Sequence, residues 1–243
     1  MNIRALAAQT AAEIRMTLRR GETLLVTIGI PVVLLVFFTL VNVLPTGTTK
    51  RVDFLAPGIL ALAALSTAMV SLGIATGFER AYGVLKRLGA TPLGRPTLLA
   101  AKIASVLAIE VIQVVVLVGV SLALGWRPHS RAGLAVLAYL LATVAFAGLG
   151  LLMAGALRAE VTLAAANGAY VVLLLLGGIV FPVAKLGAIA PLARLLPAGA
   201  LSGVLHPTLG AGPGSAVPAE TWIVLAIWAV LAPLAAALTF RWD

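Results

Sequence analysis

Cysteine is absent from the 243 residues, which excludes disulfides, thiolate metal sites and a cysteine nucleophile. Histidine is nearly absent: His129 and His206 stand far apart in the chain, which argues against zinc. Charge is scarce too. Charged residues make up 10% and hydrophobic residues 62%, where a soluble domain carries about 25% and roughly 45–50%. Too few polar side chains remain to cover a water-facing surface. A phosphate-binding P-loop is also missing. It needs G-x-x-x-x-G-K-[ST], so that a lysine and a hydroxyl reach phosphate and Mg²⁺. The nearest run, Gly89-Ala-Thr-Pro-Leu-Gly94-Arg95-Pro96, has Arg for Lys and Pro for Ser/Thr. This chain is therefore expected to hold no cofactor, and any ATP that powers it is bound by another polypeptide.

Apolar sequence is what the chain has in abundance. It comes in runs near the ~20 residues that cross a ~30 Å hydrocarbon core as a helix. Six runs predict spans at 24–44, 54–78, 98–125, 133–157, 162–181 and 221–240. The first is too long for a signal-peptide core and is read as retained. Residues 2–20 place Ile3, Leu6, Ala7, Thr10, Ala11, Ile14 and Leu18 on one helical stripe, with most of the charge off it. That segment suits an amphipathic helix lying in the lipid interface. The fold class is all-α: a polytopic membrane protein of one domain, 1–243. Gly73-Ile-Ala-Thr-Gly77 has the small-xxx-small spacing that lets two helices approach closely.

Residues 182–219 differ from the rest. Pro182, Pro191, Pro197, Pro207, Pro213 and Pro218 break them into apolar pieces too short to cross. Two short helices, near 186–195 and 198–205, are expected on or dipping into the outer face. This outer segment reads equally as a gate or as an inert cap, with Phe181, Pro182, Leu196 and Pro197 as the gate candidates.

The net charge of +9 could point to nucleic acid, but no soluble fold is there to carry a basic patch. The positions of the basic residues explain it better. With both termini in the cytoplasm, eleven of the 17 Lys and Arg residues fall on the cytoplasmic side and six outside, as the positive-inside rule requires. The expected location is the inner or plasma membrane, with the lipid bilayer as a partner and nucleic acid not. Trp126, Trp222 and Trp242 lie near span ends, as interfacial anchors do.

Glu110 is the sharpest single residue, because a charged group near mid-span is costly and faces the bundle interior or a wet cavity. It reads either as a cavity-lining acid for cationic amphipathic substrates or as a structural carboxyl. Gln113 follows one turn on. Asn167 and Tyr170 in the fifth run are further pathway candidates, against the reading of interhelical glue. An intramembrane serine enzyme needs a base in reach of its serine. Ala200-Leu-Ser202-Gly203 has His206 only four residues on, which makes a poor case. An ion-coupled transporter is a third reading. One deep acid, and no repeat relating 1–125 to 126–243, support it thinly.

Residues 79–97 form the longest charged interruption between spans and predict a short helix at 79–88, with Lys86 and Arg87 near its end and Gly89 as its stop. The run from Phe78 through Glu79, Arg80, Tyr82, Gly83, Leu85, Lys86, Arg87, Leu88, Gly89, Thr91 and Pro92 to Leu93, followed by Leu98-Leu-Ala-Ala-Lys102, resembles the coupling segment of ABC-2 type permeases. The interfacial helix, the six spans and the Pro-rich outer segment agree with that family over essentially the whole chain, and the daunorubicin-resistance-type drug exporters look closest in layout. The resemblance implies a transport subunit that is not itself an enzyme. It implies a cytoplasmic ABC ATPase that holds Mg-ATP and docks on residues 79–93, a second permease chain (the same or a related one), and export of a drug, antibiotic or lipid.

Overall fold

A backbone in lipid must satisfy its own hydrogen bonds, and a helix does so within one segment. The computed structural model describes residues 3–41, 50–90, 93–128, 131–210 and 216–240, and every regular element among them is helical. An amphipathic helix, α1 (Ile3–Arg19), comes first. Next is α2, residues 21–40, whose turn at Leu25–Gly29 is widened to π geometry. The bundle continues with α3 (Arg51–Ala81), α4 (Val84–Gly89), α5 (Arg95–Ala123), α6 (Ala132–Ala156) and α7 (Ala159–Leu176). A 3-10 turn at Val183–Ile189 leads into α8 (Ala190–Leu195), α9 (Pro197–Leu209) and α10 (Ala219–Thr239).

Helices α3, α5, α6, α7 and α10 are each long and apolar enough to cross a membrane. The chain is a multi-pass membrane protein. The apolar part of α2, Leu25–Leu40, is shorter than these, and the expected continuation of that run to 44 lies outside the described residues. The cores are α3 and α6, which bury much more of their spans than α5, α7 or α10 do. Small residues allow this. A Cβ added at Gly150 of α6 would stand 2.5 Å from Met69 O of α3, and one at Gly73 3.0 Å from Gly150 O. Of the small-xxx-small pair on α3, Gly73 makes a backbone approach to α6, while Gly77 faces the Thr162 side chain of α7.

Three expectations are corrected. The fifth span stops at Leu176, because Gly177 and Gly178 follow and Gly178 turns at φ +71. Phe181 and Pro182 therefore lie beyond the helix. The single helix expected at 79–88 is two. The first part is the last turn of α3, and Gly83, at φ +71, turns the chain into α4. A left-handed residue costs glycine little, and it ends one helix while aiming the next. Trp126 is not an interfacial anchor but a buried one, and its indole N–H donates to Leu209 O at 3.2 Å.

The Pro-rich segment dips into the bundle, one of the two placements expected of it. The Val183–Leu195 and Pro197–Leu209 stretches meet at 107°, the geometry of a re-entrant loop or a broken span. Almost all of α9 is buried, packed on α6, α3 and α10. Its small residues let it enter the bundle, and Leu201 and Leu205 fill the space beyond them.

Candidate functional site

At one end of the bundle, α5 carries Lys102 with 1% of its surface exposed. Its ammonium lies 2.6 Å from Glu79 Oε2 on α3 and 3.2 Å from Glu13 Oε1 on α1. Gln9 Nε2–H donates to the same Glu13 oxygen, Oε1, at 2.8 Å. A buried ammonium needs countercharge and hydrogen bonds together, and here α1 and α3 supply them. The cluster fastens α1 to the loop-bearing end of α3. Glu13 was not a candidate from the sequence. The signal that could have found it is Lys102 itself, a cation inside an apolar run that demands a partner.

Arg80, the next residue on α3, faces α6. Its guanidinium donates to the carbonyls of Ala154 and Gly155 from Nη1 at 2.8 and 2.6 Å, and of Leu157 from Nη2 at 2.6 Å. These are terminal carbonyls of α6, where the helix dipole is negative and bonding partners run out. Glu79 and Arg80 are thus engaged inside the bundle. Past Gly83, Leu85 of α4 is fully buried while Lys86 and Arg87 are exposed, and Tyr82 is exposed beside them. Leu88 is half-buried against the core and Gly89 ends the helix. Thr91 and Pro92 lie outside the described residues. A cleft of about 610 Å³ opens next to this end, between α1, α2, α3 and α5, with Glu13, Glu79 and Lys102 on its wall.

Further along α5, Gln113 has a structural task. Pro31 has no N–H to donate to Thr27 O four residues earlier, and Gln113 Nε2–H donates to that carbonyl at 2.5 Å. Its Oε1 accepts from Thr67 Oγ1 at 3.1 Å. Thr27 and Thr67 both sit in the π turns of α2 and α3, so one amide on α5 joins two irregular turns. Glu110 is different. Oε2 accepts from Thr143 Oγ1 of α6 at 2.5 Å, while Oε1 has no partner among the described residues. Asn167 is exposed and bonds to Leu163 O of its own helix at 2.8 Å; Tyr170 is half-buried. Neither comes near Glu110 in any cavity lining described.

At the opposite end, Pro182 lines a pocket with Asp53, Ser202 and His206. The residue types suggest a triad, but the bonds do not. Ser202 Oγ has no partner among the described residues, and His206 places Nε2 3.2 Å from Gly178 O while its ring stacks on Phe54. A nucleophile needs its base in hydrogen-bond reach, and no such bond is present here. Leu196 and Pro197 form the hinge between α8 and α9, with Leu196 extended at ψ 147.

The geometry is that of a helical membrane domain with an ion-locked, basic-helix end, and comparison with known proteins agrees with it. The family model for the ABC-2 type transporter matches residues 4–199. No curated protein matches the chain. The match runs from α1, through the ion cluster and the core helices, to the hinge that starts α9. The chain therefore belongs to the ABC-2 type transporter family and is a membrane-embedded permease subunit of an ABC transporter.

Proposed function

We propose that this permease pairs with a separate cytoplasmic ABC ATPase and a second permease chain to export a hydrophobic or amphipathic substrate. In this reading both termini and α4 face the cytoplasm, and ATP is hydrolysed in the partner. The observation that carries it is the division of labour along residues 79–89. Tyr82, Lys86 and Arg87 form the face that meets the ATPase, while Leu85 anchors α4 to the bundle. Glu79 and Arg80 do not dock; they transmit. A push on α4 reaches α3 through the Gly83 turn. It spreads to α1 and α5 through Lys102, and to α6 through the carbonyls held by Arg80. The cleft beside the cluster then changes shape as the helices tilt, and Leu196–Pro197 is the hinge at the far end. Rigid elements joined by short ionic contacts move together, as in other domain rearrangements driven by a soluble motor.

The test is charge reversal at the exposed pair. Lys86→Glu/Arg87→Glu is expected to lower co-purification of the cognate ATPase by about tenfold and to leave the melting temperature of the permease unchanged. Unaltered co-purification would remove the docking face from the account.

A further inference from the structure

The two sides of α1 are made differently. The side laid on the bundle is polar: Glu13 is buried, and Gln9, Thr10 and Thr17 are half-buried. Most of the apolar stripe is turned away. Ile3 is 76% and Leu18 43% exposed, and Ala7 and Ala11 are exposed between them. A surface helix of a soluble protein does the reverse. The ammonium of Lys102 causes the inversion, because it draws Glu13 inward and leaves the stripe on the outer half of the helix.

The outer half is also basic. Arg4, Arg15 and Arg19 are exposed. At about 100° per residue, Arg4 and Arg15 point within about 20° of the bearing opposite Glu13, and Arg19 about 60° from it. They form one row away from the bundle, beside the apolar stripe. No acid on α1 offsets them, because Glu13 is its only carboxylate and faces Lys102. The level of the helix is constrained too. Glu13 shares Lys102 with Glu79, which is in the last turn of α3, and Lys102 is in the second turn of α5. Two helices fit to cross a membrane therefore hold α1 near their ends, and α1 itself is not among the helices long and apolar enough to cross.

We propose that α1 lies in the head-group layer as a binding surface for anionic phospholipid, with acyl chains along Ile3, Ala7, Ala11 and Leu18 and the phosphate on Arg15 and Arg19. Guanidinium groups donate paired N–H bonds to phosphate oxygens. A zwitterionic head group brings a cation into the same basic row, whereas an anionic one brings only countercharge, so the row selects the anionic lipid. An acidic protein would answer the arginines but leave the apolar stripe uncovered. The sequence suggests an interfacial helix; the inward pairing of Glu13 is what leaves its outer side purely cationic. This goes beyond the exporter reading and does not depend on it.

The experiment uses the full chain in nanodiscs without the ATPase, so its failure is distinct from a failure of docking. The chain has no cysteine, so Ala11→Cys carries the only thiol, labelled with bimane. Quenching is compared for phosphatidylglycerol and phosphatidylcholine that carry the same nitroxide high on one acyl chain. At about 20 mol% of either in phosphatidylcholine, the anionic quencher is expected to be about fivefold more effective. The preference is expected to shrink at about 0.5 M NaCl, where screening is short-ranged. Arg15→Gln/Arg19→Gln removes it while the melting temperature matches the parent, and Arg15→Lys/Arg19→Lys keeps most of it. Lys86→Gln/Arg87→Gln, which removes as much charge from the exposed face of α4, leaves it intact. Equal quenching by the two lipids, or no quenching by either, would overturn the proposal. So would a preference that survives Arg15→Gln/Arg19→Gln, since the selecting charge would then lie elsewhere.

Discussion

At its basic end α5 buries Lys102, and two turns further on it buries Glu110, each with 1% of its surface exposed. Their surroundings are opposite. Lys102 has two carboxylates within 3.2 Å, drawn from two other helices, and one of those is held by a glutamine in turn. Glu110 has one hydroxyl, and its second oxygen has nothing among the described residues. A fully met ion cluster joins elements rigidly. A carboxyl met at one oxygen joins fewer elements. Buried ionisable groups thus sit in two settings along one helix: a fully met cluster at one end and a half-met carboxyl in the middle.

The comparison breaks first at Lys102. Lys102→Met leaves Glu13 and Glu79 facing each other without countercharge and is expected to cost about 3–5 kcal/mol, read as a lower thermal midpoint in detergent. Adding Glu13→Gln should recover part of the loss, and a double variant no better than the single would show that the pairing is not what stabilises this end. Arg80→Gln comes next. It strips charge-assisted bonds from the end of α6, worth about 1.5–3 kcal/mol in all, and should lower the midpoint while the remaining folded protein binds ATPase normally. Binding lost in proportion to charge, with no change in stability, would instead put Arg80 on the docking surface. The smallest effect belongs to Glu110. Because the site is half satisfied, Glu110→Leu with Thr143→Val removes both partners and is expected to change stability by less than about 1 kcal/mol in either direction. A large loss in that pair would mean the carboxyl is a structural joint like Lys102, and the contrast would vanish.

Much of this was legible in the residues. The apolar runs gave five long apolar helices to within a few residues, and one glycine of the α3 pair, Gly73, does meet a neighbouring backbone. The charged interruption at 79–97 was visible between the apolar runs. What was not legible was which of its charges face inward. Glu79, Arg80, Lys86 and Arg87 look alike in one dimension. Only the turn at Gly83 divides them into two that hold the bundle and two that leave it. The prolines of 182–209 did announce two short helices meeting at a bend; that small residues let α9 pack into the core was not legible from them.

The sequence by itself determined that the chain lives in lipid, that its backbone is helical and that its ends and loops carry the charge. Those follow from composition and from runs of local length, which need no partner. The tertiary structure alone decided that Lys102 meets Glu13 and Glu79, that Gln113 meets Thr27 and Thr67, and that one oxygen of Glu110 meets nothing in the described chain. Each of those is a question of which faces of distant helices come together, and hydrophobic patterning sets that a face is buried without setting against what.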